Sequence, residues 1–186
     1  PNGSADFTTI QAAIDYSWDG DTVVVRSGTY VEDIYFNGRA IELMSSDPNN
    51  QTIVDSTIIS GEVTFDFSEQ NDSILNGLHI QSQISCKSSS PVIKNNLISS
   101  VGTYGISGQN SSSPQILQNR LVGCPNAIFH CDGLISGNSI TDAAGTAAHG
   151  ISSCDGTISN NYIANLRNTG TTNVSPCWGA GIHHCD

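Results

Sequence analysis

The segments Cys131-Asp-Gly-Leu-Ile-Ser-Gly-Asn-Ser-Ile140 and Cys154-Asp-Gly-Thr-Ile-Ser-Asn-Asn-Tyr-Ile163 repeat one another almost position for position. Two earlier segments fall into the same frame, Ser89-Ser-Pro-Val-Ile-Lys-Asn-Asn-Leu-Ile98 and Ser112-Ser-Pro-Gln-Ile-Leu-Gln-Asn-Arg-Leu121. A second series falls between them: Gly105-Ile106-Ser107, Ala127-Ile128-Phe129, Gly150-Ile151-Ser152 and Gly181-Ile182-His183. A period of roughly 19–23 residues carrying two or three short β-runs is the mark of a solenoid. Each unit is too small to bury an apolar face alone, so neighbours must stack. The apolar positions are Ile, Val and Leu in runs of two to four, without leucine-rich-repeat spacing, which suits short parallel strands around a narrow core. Asn96, Asn119, Asn138 and Asn161 share one repeat position. Asn tolerates left-handed backbone and bonds its own backbone, so this column is expected at a sharp corner between strands.

The earlier chain extends the coil. Thr22–Val25, Ala40–Leu43, Thr52–Val54 with Thr57–Ile59, and Ser73–Ile80 read as strands bounded by Gly, Asn, Asp or Ser. Ahead of them, residues 6–17 read as a helix, with Asp6 as N-cap and Phe7, Ile10, Ala13 and Ile14 as its apolar stripe. That helix would cover the first rung.

The run Asp6-Phe-Thr-Thr-Ile-Gln-Ala-Ala-Ile14, then Asp19-Gly-Asp-Thr-Val-Val-Val25 and Ser27-Gly-Thr-Tyr-Val-Glu32, resembles the entry of right-handed parallel β-helix proteins of the pectin-lyase-like superfamily. The Ile-x-Asn-Asn-x-Ile and Gly-Ile-Ser units resemble that superfamily's repeats. The resemblance spans essentially the whole chain and implies fold rather than function, because the superfamily holds lyases, hydrolases, esterases and non-catalytic surface proteins. The expected architecture is an all-β solenoid: a right-handed parallel β-helix of about seven to eight rungs. It would be one domain over 1–186, with a capping helix at 6–17, rungs over 21–186 and a loop insertion at 165–178. His184-Cys185-Asp186 restarts the His130-Cys131-Asp132 motif and stops, so the C-terminal edge is expected to be open, met by a second copy or by more chain.

Seventeen acidic against six basic residues give a net charge of −11, which excludes a phosphate-binding surface and hence a nucleic-acid partner. No apolar stretch approaches about 20 residues, so no membrane insertion is expected. Six cysteines suit an oxidising compartment, and the expected location is secreted or cell-surface. Asn2, Asn50, Asn71, Asn110 and Asn173 head Asn-x-Ser/Thr sequons and are candidate glycan acceptors.

Equivalent positions in adjacent rungs lie about 4.8 Å apart, so Cys131, Cys154 and Cys185 should stack. A Cys131–Cys154 disulfide is the expected outcome, with Cys124 and Cys177 as a second candidate pair. The alternative is a metal column of Asp132, Asp155 and Asp186 with His130 and His184; its oxygens would suit Ca²⁺, although no cofactor is required. Trp178, in the 165–178 loop, is the candidate sugar contact, assisted by Tyr104 and Phe129. The Arg or Lys base of a lyase, the neighbouring carboxylates of a glycosidase and a nucleophile triad find no matching set, although Lys94 and Arg120 could share a face. These readings favour a non-catalytic extracellular structural or adhesive module. Alternatives are a lyase or glycoside hydrolase for acidic polysaccharide, and a carbohydrate-binding module.

Overall fold

The computed structural model describes residues 6–99, 102–146, 148–169 and 180–185. Over these the chain winds through three seven-stranded sheets in which every pairing is parallel. The first sheet runs from Thr22–Val25 to Thr157–Ser159, the second from Gly28–Tyr30 to Tyr162–Ala164, and the third from Ile34–Tyr35 to Ala180–His183. Six full turns separate the first strand of each sheet from its seventh.

The repeat fixes the register. Leu43, Leu75, Ile93, Ile116, Ile135 and Ile158 pair in succession down the first sheet. Ile59, Ile80, Ile98, Leu121, Ile140 and Ile163 do so down the second. Val63, Ile84, Ile106, Ile128 and Ile151 line the third. Nearly all are fully buried, each contributing about 1.5–3 kcal/mol of transfer free energy.

Helix α1 (Ile10–Tyr16) covers the first rung and buries Ile10 and Ile14. It begins later than the sequence suggests. Its N-cap is Thr9, whose hydroxyl accepts from Ala12 N, and Asp6 lies ahead of it. The carboxylate of Glu32 accepts from Ile10 N at 2.9 Å and Gln11 N at 3.0 Å, so a residue of the coil caps the helix and fixes it there. Thr52–Val54 form a helix rather than a strand: α2 (Gln51–Ser56), N-capped by Asn50, buries Val54. It bridges an enlarged corner, and the neighbouring rungs override the β-preference of its branched residues.

Candidate functional site

At the Asn column the corner differs from expectation. The left-handed residues are those one position earlier, Asn95, Gln118, Gly137 and Asn160. Asn96, Asn119 and Asn138 instead turn inward and are buried. Asn119 Oδ1 accepts from Asn96 N and Asn96 Nδ2, while its own Nδ2 donates to Ile93 O at 2.8 Å. The side chains bond adjacent rungs, and Asn138 Nδ2 also reaches Ser136 O in its own rung.

A second ladder occupies the corner between the third and first sheets. Ser89 and Ser112 are buried there, followed by Cys131 and Cys154. Cys131 N donates to Cys154 Sγ at 3.3 Å, and Cys154 N to Cys185 Sγ at 3.3 Å. Each thiol donates to the carbonyl two residues before it, Phe129, Ser152 and His183 respectively. At the head of the ladder the buried Glu69 accepts from Ser89 Oγ, Phe67 N and Gly38 N. In the structure Cys131 and Cys154, the expected disulfide pair, stand in adjacent rungs as free thiols, with Cys154 Sγ accepting from Cys131 N. Cys124 is buried, and Cys177 lies outside the described residues. Burial pushes the Cys154 thiol up to about 12 and holds Cys86 and Cys131 well above the usual thiol range.

The outer face of the third sheet carries the rings. Tyr104 stacks on Phe129 with centroids 4.7 Å apart, and Phe129 on His130 at 3.9 Å. On the very next rung His149 stacks on His183 of the rung beyond at 4.4 Å, and His183 stacks on His184 at 4.0 Å. Asn126 Oδ1 lies 3.1 Å from His149 Nδ1, which marks that nitrogen as the donor. Burial first, then the His183 and His184 imidazoles, lower His149 below the usual histidine range. A groove of about 360 Å³ borders this face, lined by Gln109, Asn110, Ser111, His130, Asp132, Ser153, Asp155 and His184. The sequence placed Tyr104, Phe129, His130 and His184 in separate roles; the coil brings them together. The missed signal is spacing: outward residues recur once per rung on the Gly-Ile-Ser strands.

The other candidates are dispersed. Asp132 Oδ1 accepts from Asp155 N at 3.1 Å, so that carboxylate spans two rungs as a turn cap. Asn50, Asn71 and Asn110 are exposed, and Asn50 is engaged as the α2 cap. Lys94 and Arg120 do not share a face: the Asn corner puts them on the first and second sheets, where they pair with Glu42 and Asp55 at 3.5 and 3.1 Å. On the second sheet, His79 bridges Ser99 Oγ and Asp55 O, tying three rungs together. Asn2, Asn173, Trp178 and Asp186 lie outside the described residues. A larger groove, about 510 Å³, follows the seam between α1 and the Thr22–Val25 strand.

Stacked parallel sheets around one narrow core, with rings displayed on one outer face, define a right-handed parallel β-helix protein. The chain belongs to the NosD family, described as periplasmic copper-binding protein, whose family model matches residues 67–179. No curated protein and no solved structure matches the chain significantly. Among the described residues no helix is long and apolar enough to cross a membrane.

The family description raises the question of copper, which favours thiolate and imidazole donors. Cys86, Cys131 and Cys154 are buried and held protonated, so they do not fit such a centre. No group of three or more His, Cys, Asp or Glu side chains among the described residues converges on a point that would hold an ion, which applies equally to Ca²⁺ at the Asp column. The described residues do not fit a resident metal.

Proposed function

We propose that this chain is a non-catalytic adhesive module working outside the cytoplasm, with the outer face of the third sheet as its contact surface. The observation that carries the reading is the array of Tyr104, Phe129, His130, His149, His183 and His184 on one rigid face. Stacked rings offer large, preorganised contact area at low entropic cost. The periplasmic description of the family supports a location beyond the cytoplasm. The parallel ladders supply rigidity, so ordering the face costs little on binding.

The test is retention of purified chain on immobilised cell-envelope or matrix polysaccharide. Replacing Tyr104 and Phe129 together by Ala should abolish retention while leaving the melting temperature within a few degrees. Undiminished retention would reject the face as the contact surface. Release of unsaturated uronate products during the same incubation would overturn the non-catalytic reading in favour of a lyase.

A further inference from the structure

The three sheets begin at the same end of the coil, and their first strands are closed unequally. On the third sheet, Gln11 of α1 stands in for a further strand. Its Oε1 accepts from Tyr35 N at 2.9 Å, and its Nε2 donates to Tyr35 O at 3.1 Å. The Thr22–Val25 strand of the first sheet has no such cover among the described residues. Glu42 N donates to Asp21 O, and the parallel register carries that alternation on, so Val23 and Val25 face the second rung. Thr22 and Val24 therefore turn their N–H and C=O groups the other way, where no described strand pairs with them. Both residues are exposed, and both line the groove of about 510 Å³ between this strand and α1.

The edge and the groove together specify an occupant. Only extended backbone offers donors and acceptors at the repeat of the strand itself, so the edge takes an extended peptide. Phe7, Ala13 and Tyr16 line the groove from the helix side and give alternate side chains of such a segment an apolar bed. Tyr16, Trp18 and Val24 are large apolar side chains left exposed at this seam and at the turn leading into it. Asp6 and Asp21 line the groove on a chain of net charge −11, and Arg26, which also lines it, is already engaged within the chain. That balance selects lysine or arginine on the incoming segment and repels a second copy of this acidic chain.

We propose that the open edge of the Thr22–Val25 strand binds an extended, cationic segment of another protein by strand addition. Thr22 and Val24 each exchange hydrogen bonds with it through N–H and C=O, while its apolar side chains pack between the strand and α1. This surface lies at the first rung and is independent of the ring-bearing face of the third sheet.

The probe is a fluorescein-labelled heptapeptide of alternating lysine and valine, titrated by anisotropy against the full chain at physiological salt. It should bind saturably, and the matching glutamate–valine peptide at least tenfold more weakly. Two N-methylated forms of the probe, on all lysines or on all valines, should differ at least tenfold, because a strand turns only alternate N–H groups to its neighbour. Val24→Pro deletes an outward N–H that the coil does not use, and proline is tolerated at a sheet edge. Its melting temperature should stay within a few degrees of the parent while probe affinity falls at least tenfold. Val24→Ala, which keeps the N–H, should bind within about threefold of the parent. Equal binding by Val24→Pro and by both N-methylated forms would overturn strand addition and leave ionic adsorption to an acidic surface. If Val24→Pro does not fold, the N-methylated pair decides alone. No binding by the full chain would overturn the proposal. Binding gained only on removal of residues 1–5 would give the groove to the chain's own first residues, and a dimer abolished by Val24→Pro would give it to a second copy; either overturns the proposal.

Discussion

Asn119 shows how much one side chain carries in a solenoid. It serves four partners: Asn96 N, Asn96 Nδ2, Ile93 O and Asn138 Oδ1, all in a buried corner. Asn119→Ala leaves the buried Asn96 N–H without its acceptor and takes one partner each from the Asn96 and Asn138 side-chain amides, at about 1–3 kcal/mol for the unsatisfied donor. Chemical denaturation should show a loss of about 3 kcal/mol, and a loss under 1 kcal/mol would mean that water enters the corner. The recurrence of Asn was legible in the sequence, but its role was not. Repeat spacing locates a corner without saying which of two adjacent residues takes the left-handed turn, and Asn95 and Gln118 take it. The stacking of Cys131, Cys154 and Cys185 was legible, but its continuation through Ser89 and Ser112 was not. Ser89, Ser112, Cys131 and Cys154 differ in chemistry yet occupy one inward column of small side chains, in which Ser89, Cys131 and Cys154 each donate to the carbonyl two residues earlier while Ser112 Oγ is unpartnered. Because Ser already serves at two of these sites, Cys131→Ser should keep the fold with a loss below about 1.5 kcal/mol. Thiol titration of the native protein at neutral pH should find Cys86, Cys131 and Cys154 unreactive until denaturant is added, since burial keeps them protonated. Rapid native labelling of these three would contradict the ladder.

At the scale of elements, two local preferences lost to their surroundings. The α1 stripe of Ile10 and Ile14 was readable, but the cap was not, because Glu32 arrives from the coil and no nearest-neighbour rule anticipates it. Glu32→Ala should free two helix N–H groups and loosen α1. The expected effect is faster hydrogen exchange over Ile10–Tyr16 with unchanged protection in the middle rungs, and uniform protection would show that Ile10 and Ile14 hold the helix unaided. The Asp-Gly pairs make a second case in which the neighbouring rung decides. Gly133 and Gly156 both have ordinary backbone angles but stand against the previous rung, where a Cβ on Gly156 would collide with Gly133 O and the Asp132 carbonyl. Glycine is required by close stacking, so Gly156→Ala should force the last rungs apart and lower the melting temperature by several degrees.

For the molecule as a whole, the parallel coil follows from the repeat, whereas its six turns fall short of the seven to eight rungs expected and the composition of the outer faces is not legible from the repeat. Strand periodicity assigns residues to inside or outside; only the winding places Tyr104, His130 and His184, up to 80 positions apart, on one surface. Four of the five histidines gather there on a chain of net charge −11, which gives the C-terminal half its own dependence on pH. His149 is held below its ordinary range by burial and by His183 and His184, with Asn126 and Tyr104 on the same face and Asp132 and Asp155 at the adjoining corner. A histidine with a lowered folded value takes up its proton more readily when unfolded. The unfolded chain therefore gains protons first as pH falls through about 6.5, and stability declines from there down to the folded value of His149. Glu62, raised by burial and by Asp33, works in the opposite sense as pH falls, so the comparison with a His149 variant is what isolates the histidine. Melting temperatures between pH 7.5 and 5.5 should therefore fall for the parent chain and fall less for His149→Gln, which keeps a side-chain donor for Asn126. Identical slopes for the two proteins would place the acid sensitivity elsewhere, and a parent that gains stability on acidification would reverse the sign assigned to His149.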